Sequence, residues 1–205
     1  ASATTGHVAW VSLDRSDNDP AFFWSYIIAA LQKIQPQLGD RTLTLLQSPQ
    51  SPPLESILTT LINEISTAEI NPAEINPDKQ PLTLILDDYH VIETQAIHSA
   101  INFFLSHLPP QLHLIIASRC DPPWPLARLR ARRDLIDLRA ADLRFTANEA
   151  ATFLNQAMGL EISAAEVAAL EQRTEGWITG LQLAALSMQG RNDVASFIAA
   201  VSGDD

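Results

Sequence analysis

The stretch Leu84-Ile85-Leu86-Asp87-Asp88-Tyr89-His90 decides how the rest of the chain is read. Leu82 to Leu86 runs without polar alternation, which predicts a strand covered on both faces, as in a parallel sheet. The two acids at its end put both carboxylates at the carboxyl edge, where open α/β sheets bind ligands. Adjacent carboxylates repel each other, so a bound cation would relieve a real cost. Aspartate is also common wherever a strand runs into a polar turn. Taken alone, the motif leaves both readings open.

Working outward, the following strand narrows the choice. Leu112 to Ala117 is again apolar and ends in Ser118-Arg119 at the same predicted edge, about 30 residues after the acids. A cationic group there can sense a terminal phosphate. An apolar strand that ends in an acid pair is, in P-loop ATPases, the Walker B arrangement, and a sensor on the next strand favours that reading. In it the first acid holds magnesium, usually through water, and the second orients or deprotonates the attacking water. Between the two strands, Ile92 to Leu108 is a predicted helix stopped by Pro109-Pro110. Leu126 to Arg133 is a short arginine-rich helix, and Leu135 to Leu138 a third short strand in this region.

Upstream, His7 to Leu13 is a buried strand, and Asp19-Pro20 supplies an N-cap with proline at the first helical position. Phe22, Phe23, Tyr26, Ile27, Ala30, Leu31 and Ile34 then recur at helical spacing. A Ser/Pro/Gln loop, Gln47 to Pro53, precedes a second amphipathic helix over Leu54 to Ile65. The pentapeptide Ala-Glu-Ile-Asn-Pro occurs twice in tandem, at 68–72 and 73–77, which is too little for a repeat fold and reads as a slipped duplication in a surface loop.

Downstream the strands stop. Thr146 with Glu149, and Ser163 with Glu166, are capping-box pairs that open helices reaching about Met158 and Arg173. Trp177 to Met188 is a third helix, and Asp193 to Val201 a fourth. The predicted class is α/β: a parallel sheet flanked by helices over residues 1–141, followed by an all-helical subdomain over 142–205.

Composition limits the functions open to such a chain. The 205 residues are 46% apolar and carry a net charge of −11, which argues against a general nucleic-acid binder. Seven of the thirteen basic residues are arginines between Arg119 and Arg144, able to meet phosphate, an acidic protein surface or water. The single cysteine, Cys120, excludes a disulfide framework and a multi-cysteine zinc site. No apolar run approaches the roughly 18 residues of a membrane span, and no signal-peptide pattern opens the chain, so no membrane partner is expected and a cytoplasmic setting is. His90 adjoins the acid pair, while His98, His107 and His113 fall on predicted helix or strand surfaces and share no metal-ligand spacing.

A phosphate-cradling loop, Gly-x-x-x-x-Gly-Lys-Ser/Thr, is absent: the two lysines are Lys33 and Lys79, and neither follows a glycine. Tight ATP binding by this chain alone is therefore not expected. No dinucleotide Gly-x-Gly-x-x-Gly, Asp-x-Asp nucleophile or Gly-x-Ser-x-Gly elbow is present either.

Five blocks in order carry a family resemblance: Ala9-Trp10-Val11-Ser12-Leu13-Asp14, Leu86 to Ile92, Ala117-Ser118-Arg119, Leu143-Arg144-Phe145-Thr146, and Glu175-Gly176-Trp177-Ile178-Thr179-Gly180-Leu181-Gln182-Leu183. They resemble the large MalT-type, ATP-dependent transcriptional activators, members of the STAND class of P-loop ATPases. The resemblance implies a switch that rests with ADP, exchanges it for ATP, and self-associates on activation. It also implies an inducer bound through a downstream sensor domain, and DNA bound through a LuxR-type helix-turn-helix, both absent from these residues.

Carried over, Asp87 is the magnesium acid, Asp88 the catalytic, water-activating acid and Arg119 the sensor. Gly176-Trp177-Ile178 stands where a Gly-x-Pro element touches the nucleotide in related switches, so Trp177 is a cofactor-binding candidate, although Ile178 replaces the proline. Trp177 is equally readable as a core aromatic at a helix start. The implied cofactors, ATP or ADP with Mg2+, belong to the complete protein; this chain is expected to be a fragment lacking the first, loop-bearing strand and inactive as an ATPase by itself. In such folds that strand lies between the sensor strand and the last one, so either Leu112–Ala117 pairs directly with Leu135–Leu138 or a gap is visible there. The alternative is a protein–protein interaction module on a degenerate scaffold, working without nucleotide.

Overall fold

A computed structural model of the chain describes residues 7–68 and 82–189. The tandem pentapeptide, beyond Ala68, and the fourth helix expected at Asp193 to Val201 lie outside the described residues. By its internal contacts the chain divides into two compact units, Ala1–Leu126 and Ala127–Asp205. The joint read from the sequence at 141/142 lies inside the second.

The first unit is built on a parallel sheet of order β1-β2-β3: β1 Val8–Ser12, β2 Leu82–Asp87 and β3 Leu112–Ile116. Its register sets Ala9 beside Leu84 and Leu84 beside Leu114, so all three strands turn matching positions to the same face. Ala9, Val11, Leu82, Leu84, Leu86 and Leu112 form one core with Phe23, Trp24, Ile27 and Leu31 of α1 (Pro20–Gln32), Leu58, Leu61 and Ile65 of α3 (Leu54–Thr67), and Ile97, Ile101 and Phe104 of α4 (Gln95–Ser106). Asp19 caps α1 by accepting from the N–H groups of Ala21 and Phe22, with Pro20 following as expected.

Several expectations need correction. The α1 stripe is rotated: Trp24 and Ile28 are buried, whereas Phe22 and Tyr26 are exposed. A short helix, α2 (Asp40–Leu46), was not anticipated from the sequence, and α4 begins three residues later than predicted because a 3-10 turn, Tyr89–Val91, comes first. Strand β2 is not covered equally on both faces. Leu82, Leu84 and Leu86 are buried, while Thr83, Ile85 and Asp87 are only half-buried. On the same side Trp10 is 58% exposed, with Val8 and Ile115 each at 50%.

The third short strand does not form. Leu135–Leu138 is neither strand nor helix, Ile136 is 87% exposed, and the segment belongs to the second unit. Among the described residues β3 pairs only with β2, so direct pairing with Leu135–Leu138 is ruled out. An apolar run becomes a strand only where a neighbour satisfies its backbone groups, and none does so among the described residues.

His98 is the other correction. It is buried rather than on the helix surface, one residue from Ile97 and three from Ile101 on the inward side of α4. Its Nδ1 is hydrogen-bonded to the Tyr89 hydroxyl at 2.8 Å, which satisfies a polar group inside the core. Burial pushes the His98 imidazole below its ordinary value, and pushes the Tyr89 phenol well above its own.

The second unit is helical: α5 (Leu126–Arg132) at its start, α6 (Ala140–Leu143), α7 (Ala147–Thr152) continuing into a π-helical turn Phe153–Ala157, α8 (Ala164–Thr174) and α9 (Ile178–Met188). Both capping boxes form. Thr146 and Ser163 receive the N–H groups of Glu149 and Glu166, and the glutamates accept in return, which holds both carboxyls below their ordinary range. Ala150, Leu154, Val167, Leu170, Leu181, Ala185 and Met188 make the core.

The turn between α8 and α9 requires a glycine. Glu175 and Gly176 are both left-handed, at φ 51 and 71. A Cβ on Gly176 would lie 2.5 Å from the Phe145 carbonyl oxygen. Phe145 in turn donates its N–H to Gly176 O at 2.7 Å, tying Leu143–Thr146 to the turn.

Two predictions follow from the packing. Because the folded His98 value lies below the unfolded one, the unfolded chain takes up the proton first on acidification. Stability is full above about pH 6.5 and is lost as pH falls below it, by at most about 1.4 kcal/mol per pH unit. Denaturant melts between pH 7.5 and 5.5 should show this slope, and His98→Gln should remove it. Gly176→Ala should destabilise the second unit by roughly 1–3 kcal/mol, read as faster amide exchange at Phe145 with α4 amides unchanged.

Candidate functional site

The carboxyl ends of β2 and β3 are joined by backbone bonds beyond the last ladder pair. Ala117 N–H donates to Leu86 O at 2.9 Å, and Tyr89 N–H donates to Ala117 O at 3.0 Å. On the other side, Leu13 N–H donates to Asp87 O at 3.0 Å. The backbone of Asp87-Asp88 is thus flanked by the ends of both neighbouring strands.

Asp87 ends β2 half-buried, and its Oδ1 accepts the N–H of Asp88 at 3.0 Å. Asp88 takes the left-handed conformation, φ 56 and ψ 34, at the start of the 3-10 turn. Non-glycine residues visit that region seldom, aspartate among the more tolerant, and such positions collect at ligand sites. The Asp88 side chain is half-exposed, and His90 Nδ1 lies 3.7 Å from its Oδ1, beyond hydrogen-bond reach and with no other partner among the described residues.

Arg119 follows β3 in an exposed loop, and its guanidinium pairs with no carboxylate among the described residues. Ser118 Oγ donates to Cys120 O at 2.7 Å within the same loop, and Cys120 is a free, exposed thiol.

Other arginines of the cluster are engaged within the second unit. Arg130 Nε and Arg139 Nη2 reach Asp137 at 2.6 and 3.0 Å, and the Arg130 hydrogen bond holds the Asp137 carboxyl below its ordinary range. Arg144 pairs with Glu175 at 2.8 Å and lies 6.0 Å over the ring of Trp177. Trp177 is at the N-cap of α9 and 41% exposed, so it is only partly a core aromatic. Asp87, Asp88 and Arg119 belong to the first unit, and Trp177 to the second.

The donor set suits magnesium only in company. Among the described residues no three His, Cys, Asp or Glu side chains gather to hold a metal. Mg2+ characteristically takes one or two carboxylates and completes its shell with water and substrate phosphates. The acid pair fits that partial role and does not fit a self-contained metal cage.

Residues that shape this edge were missed in the sequence. Asn18, in a 3-10 turn after β1 (Arg15–Asn18), accepts from the N–H groups of Glu93 and Thr94 at 2.7 and 3.1 Å, and donates to Val91 O at 3.0 Å. The turn opens with a box in which Asp14 receives the N–H of Ser16 and donates its own to Asp17; the Ser16 bonds hold the Asp14 carboxyl below its ordinary range. The ring of Tyr89 contacts His98 and Trp124, with centroids 5.6 and 4.9 Å away. The only local signal was the turn-forming character of Asp14 to Asn18; the Asn18 bonds to Val91, Glu93 and Thr94 cross more than seventy residues.

No helix among the described residues is long and apolar enough to cross a membrane. No family model matches the chain. It is 37% identical over 194 residues to the HTH-type transcriptional regulator MalT of Serratia proteamaculans, and 35% to that of Yersinia enterocolitica, each match covering 95% of the chain. It is 32% identical over 196 residues to the serine/threonine-protein kinase PknK of Mycobacterium tuberculosis, covering 96% of the chain. The chain spans 20% of the length of those MalT proteins and 17% of that kinase. Along nearly its whole length, then, the chain is similar to one region of those MalT proteins and of that kinase.

Proposed function

We propose that the chain is the acid-pair and sensor part of a nucleotide-operated switch within a transcriptional regulator. In it Asp87 holds Mg2+, Asp88 acts on the attacking water, and Arg119 reads the terminal phosphate of ATP against ADP. The observation that best supports this is the pair of backbone bonds, Ala117 to Leu86 and Tyr89 to Ala117, which keep the Asp87-Asp88 segment beside the Ser118-Arg119 loop. The incomplete metal donor set is a second support, since a nucleotide would supply the missing oxygens. Relatives named as a transcriptional regulator and as a protein kinase share this region. A segment common to two such outputs is better suited to control than to DNA reading or protein phosphorylation.

Trp177, half-open with Arg144 behind it, is the proposed contact of the helical unit with the nucleotide. Self-association, an inducer and DNA enter through the complete protein, and a cytoplasmic setting goes with that role. A second reading, an interaction module that needs no nucleotide, is favoured by one observation, the half-exposed apolar row of Val8, Trp10 and Ile115 on the open sheet face.

The two diverge in a chain that carries this segment together with a phosphate loop. There Asp88→Asn should lower ATP turnover by about 100-fold or more while nucleotide still binds, and Asp87→Ala should remove the magnesium dependence of binding. Unaltered hydrolysis in both variants would end the assignment. Arg119→Ala should reduce the preference for ATP over ADP by about tenfold or more, measured by calorimetry with each nucleotide. Calorimetry that finds no nucleotide binding, with partner binding lost on Trp10→Asp, would favour the interaction module.

A further inference from the structure

Both ends of the loop that carries Arg119 are anchored on one residue, Tyr89. At its entry, the Tyr89 N–H holds the Ala117 carbonyl at 3.0 Å. At its exit, the Tyr89 ring packs on Trp124, with centroids 4.9 Å apart and planes at 53°. Between them lie Ser118 to Pro123, a short span with little slack. Pro122, Pro123 and Pro125 fix backbone angles beside the tryptophan, and the N–H groups of Trp124 and Leu126 close tight turns on Pro122 O and Trp124 O.

Tyr89 is also the residue directly after Asp88. It is 1% exposed, and its hydroxyl is fixed by His98 of α4 at 2.8 Å. Ile92 N–H donates to Tyr89 O, and Val91 N–H to Asp88 O, each at 3.1 Å. A left-handed aspartate persists only where its surroundings hold it, and here the hold comes from the buried ring that follows.

We infer that Tyr89 is a positioning residue that ties the acid pair to the sensor loop, with Trp124 as the second half of the tie. A displacement of Arg119 on phosphate binding or loss pulls on both anchors of Tyr89, and through them on the left-handed backbone of Asp88. The phosphate state sensed in the loop after β3 thereby reaches the water-activating acid that follows β2 without contact between their side chains. The functional consequence rests on the nucleotide assignment proposed above; the mechanical tie does not.

Two measurements separate them. In the 205-residue chain, Trp124→Ala should speed amide exchange at Tyr89, 35 positions earlier in the sequence, by about tenfold, while Leu61 and Ile65 of α3 keep their protection. Unchanged exchange at Tyr89 overturns the tie. Should Trp124→Ala lose the α3 protection as well, Trp124→Leu takes its place, and the same comparison is made with it. In a chain that also carries a phosphate loop, Trp124→Ala should lower kcat about tenfold with Mg-nucleotide affinity unchanged, and should add nothing to Arg119→Ala. Full additivity of the two, or an unaltered kcat, overturns the coupling. Absence of turnover in the parent chain would refute the nucleotide assignment instead, with the exchange result still deciding the tie.

Discussion

The first unit depends on the parallel pairing of β2 with β3 and on its continuation past the last ladder pair, where Ala117 bonds to Leu86 and Tyr89 to Ala117. Parallel strands run their carboxyl ends to one edge, so loops that leave them meet there without further instruction. The register in turn is held by burial. A one-residue slip of β3 would move Leu112 from the core to the open face and bring His113 inward. The core that enforces this, with Trp24 against Phe104 at 5.4 Å and Phe23 against Trp24 at 5.6 Å, also takes in Leu86 and Tyr89, the residues on either side of the acid pair. Structure and site are thus joined: helices set the register, and the register sets which side chains share the edge.

What was legible in the sequence was local. Asp19-Pro20, Thr146 with Glu149 and Ser163 with Glu166 announced helix starts because the hydrogen bonds they make lie within three residues. The strands at Leu82–Asp87 and Leu112–Ile116 were legible because an unbroken aliphatic run has few alternatives to burial. The acid pair stood out for the same reason, as charge at the end of such a run. Leu135–Leu138 shows the limit of that rule. Its composition resembles a short strand, but strand formation belongs to a pair, and no neighbour pairs with it among the described residues.

The rest was hidden because it is relational. His98 looked like a surface residue until Tyr89, nine positions earlier, gave its ring a buried partner. Asn18 joins a loop more than seventy residues away, and nothing beside it in the sequence names that loop. The left-handed turn at Asp88 is equally invisible, since aspartate favours such a turn only weakly and tertiary contacts impose it. These unread residues hold the turn that follows the acids, from Tyr89 to Thr94, whereas the acids themselves were plain. Chemical groups are written in residue types, and their orientation is written in contacts.

The central claim is that Asp87, Asp88 and Arg119 serve one metal–nucleotide. Paramagnetic broadening by Mn2+·ATP at millimolar concentration tests it on the chain as it stands, because weak and transient binding is enough to be seen. The amides of Asp87, Asp88, Ser118 and Arg119 should broaden first, while those of Val8, Leu82 and Leu112 at the opposite end of the sheet stay sharp. Broadening centred elsewhere, or broadening of the acid pair that leaves Arg119 untouched, would contradict it.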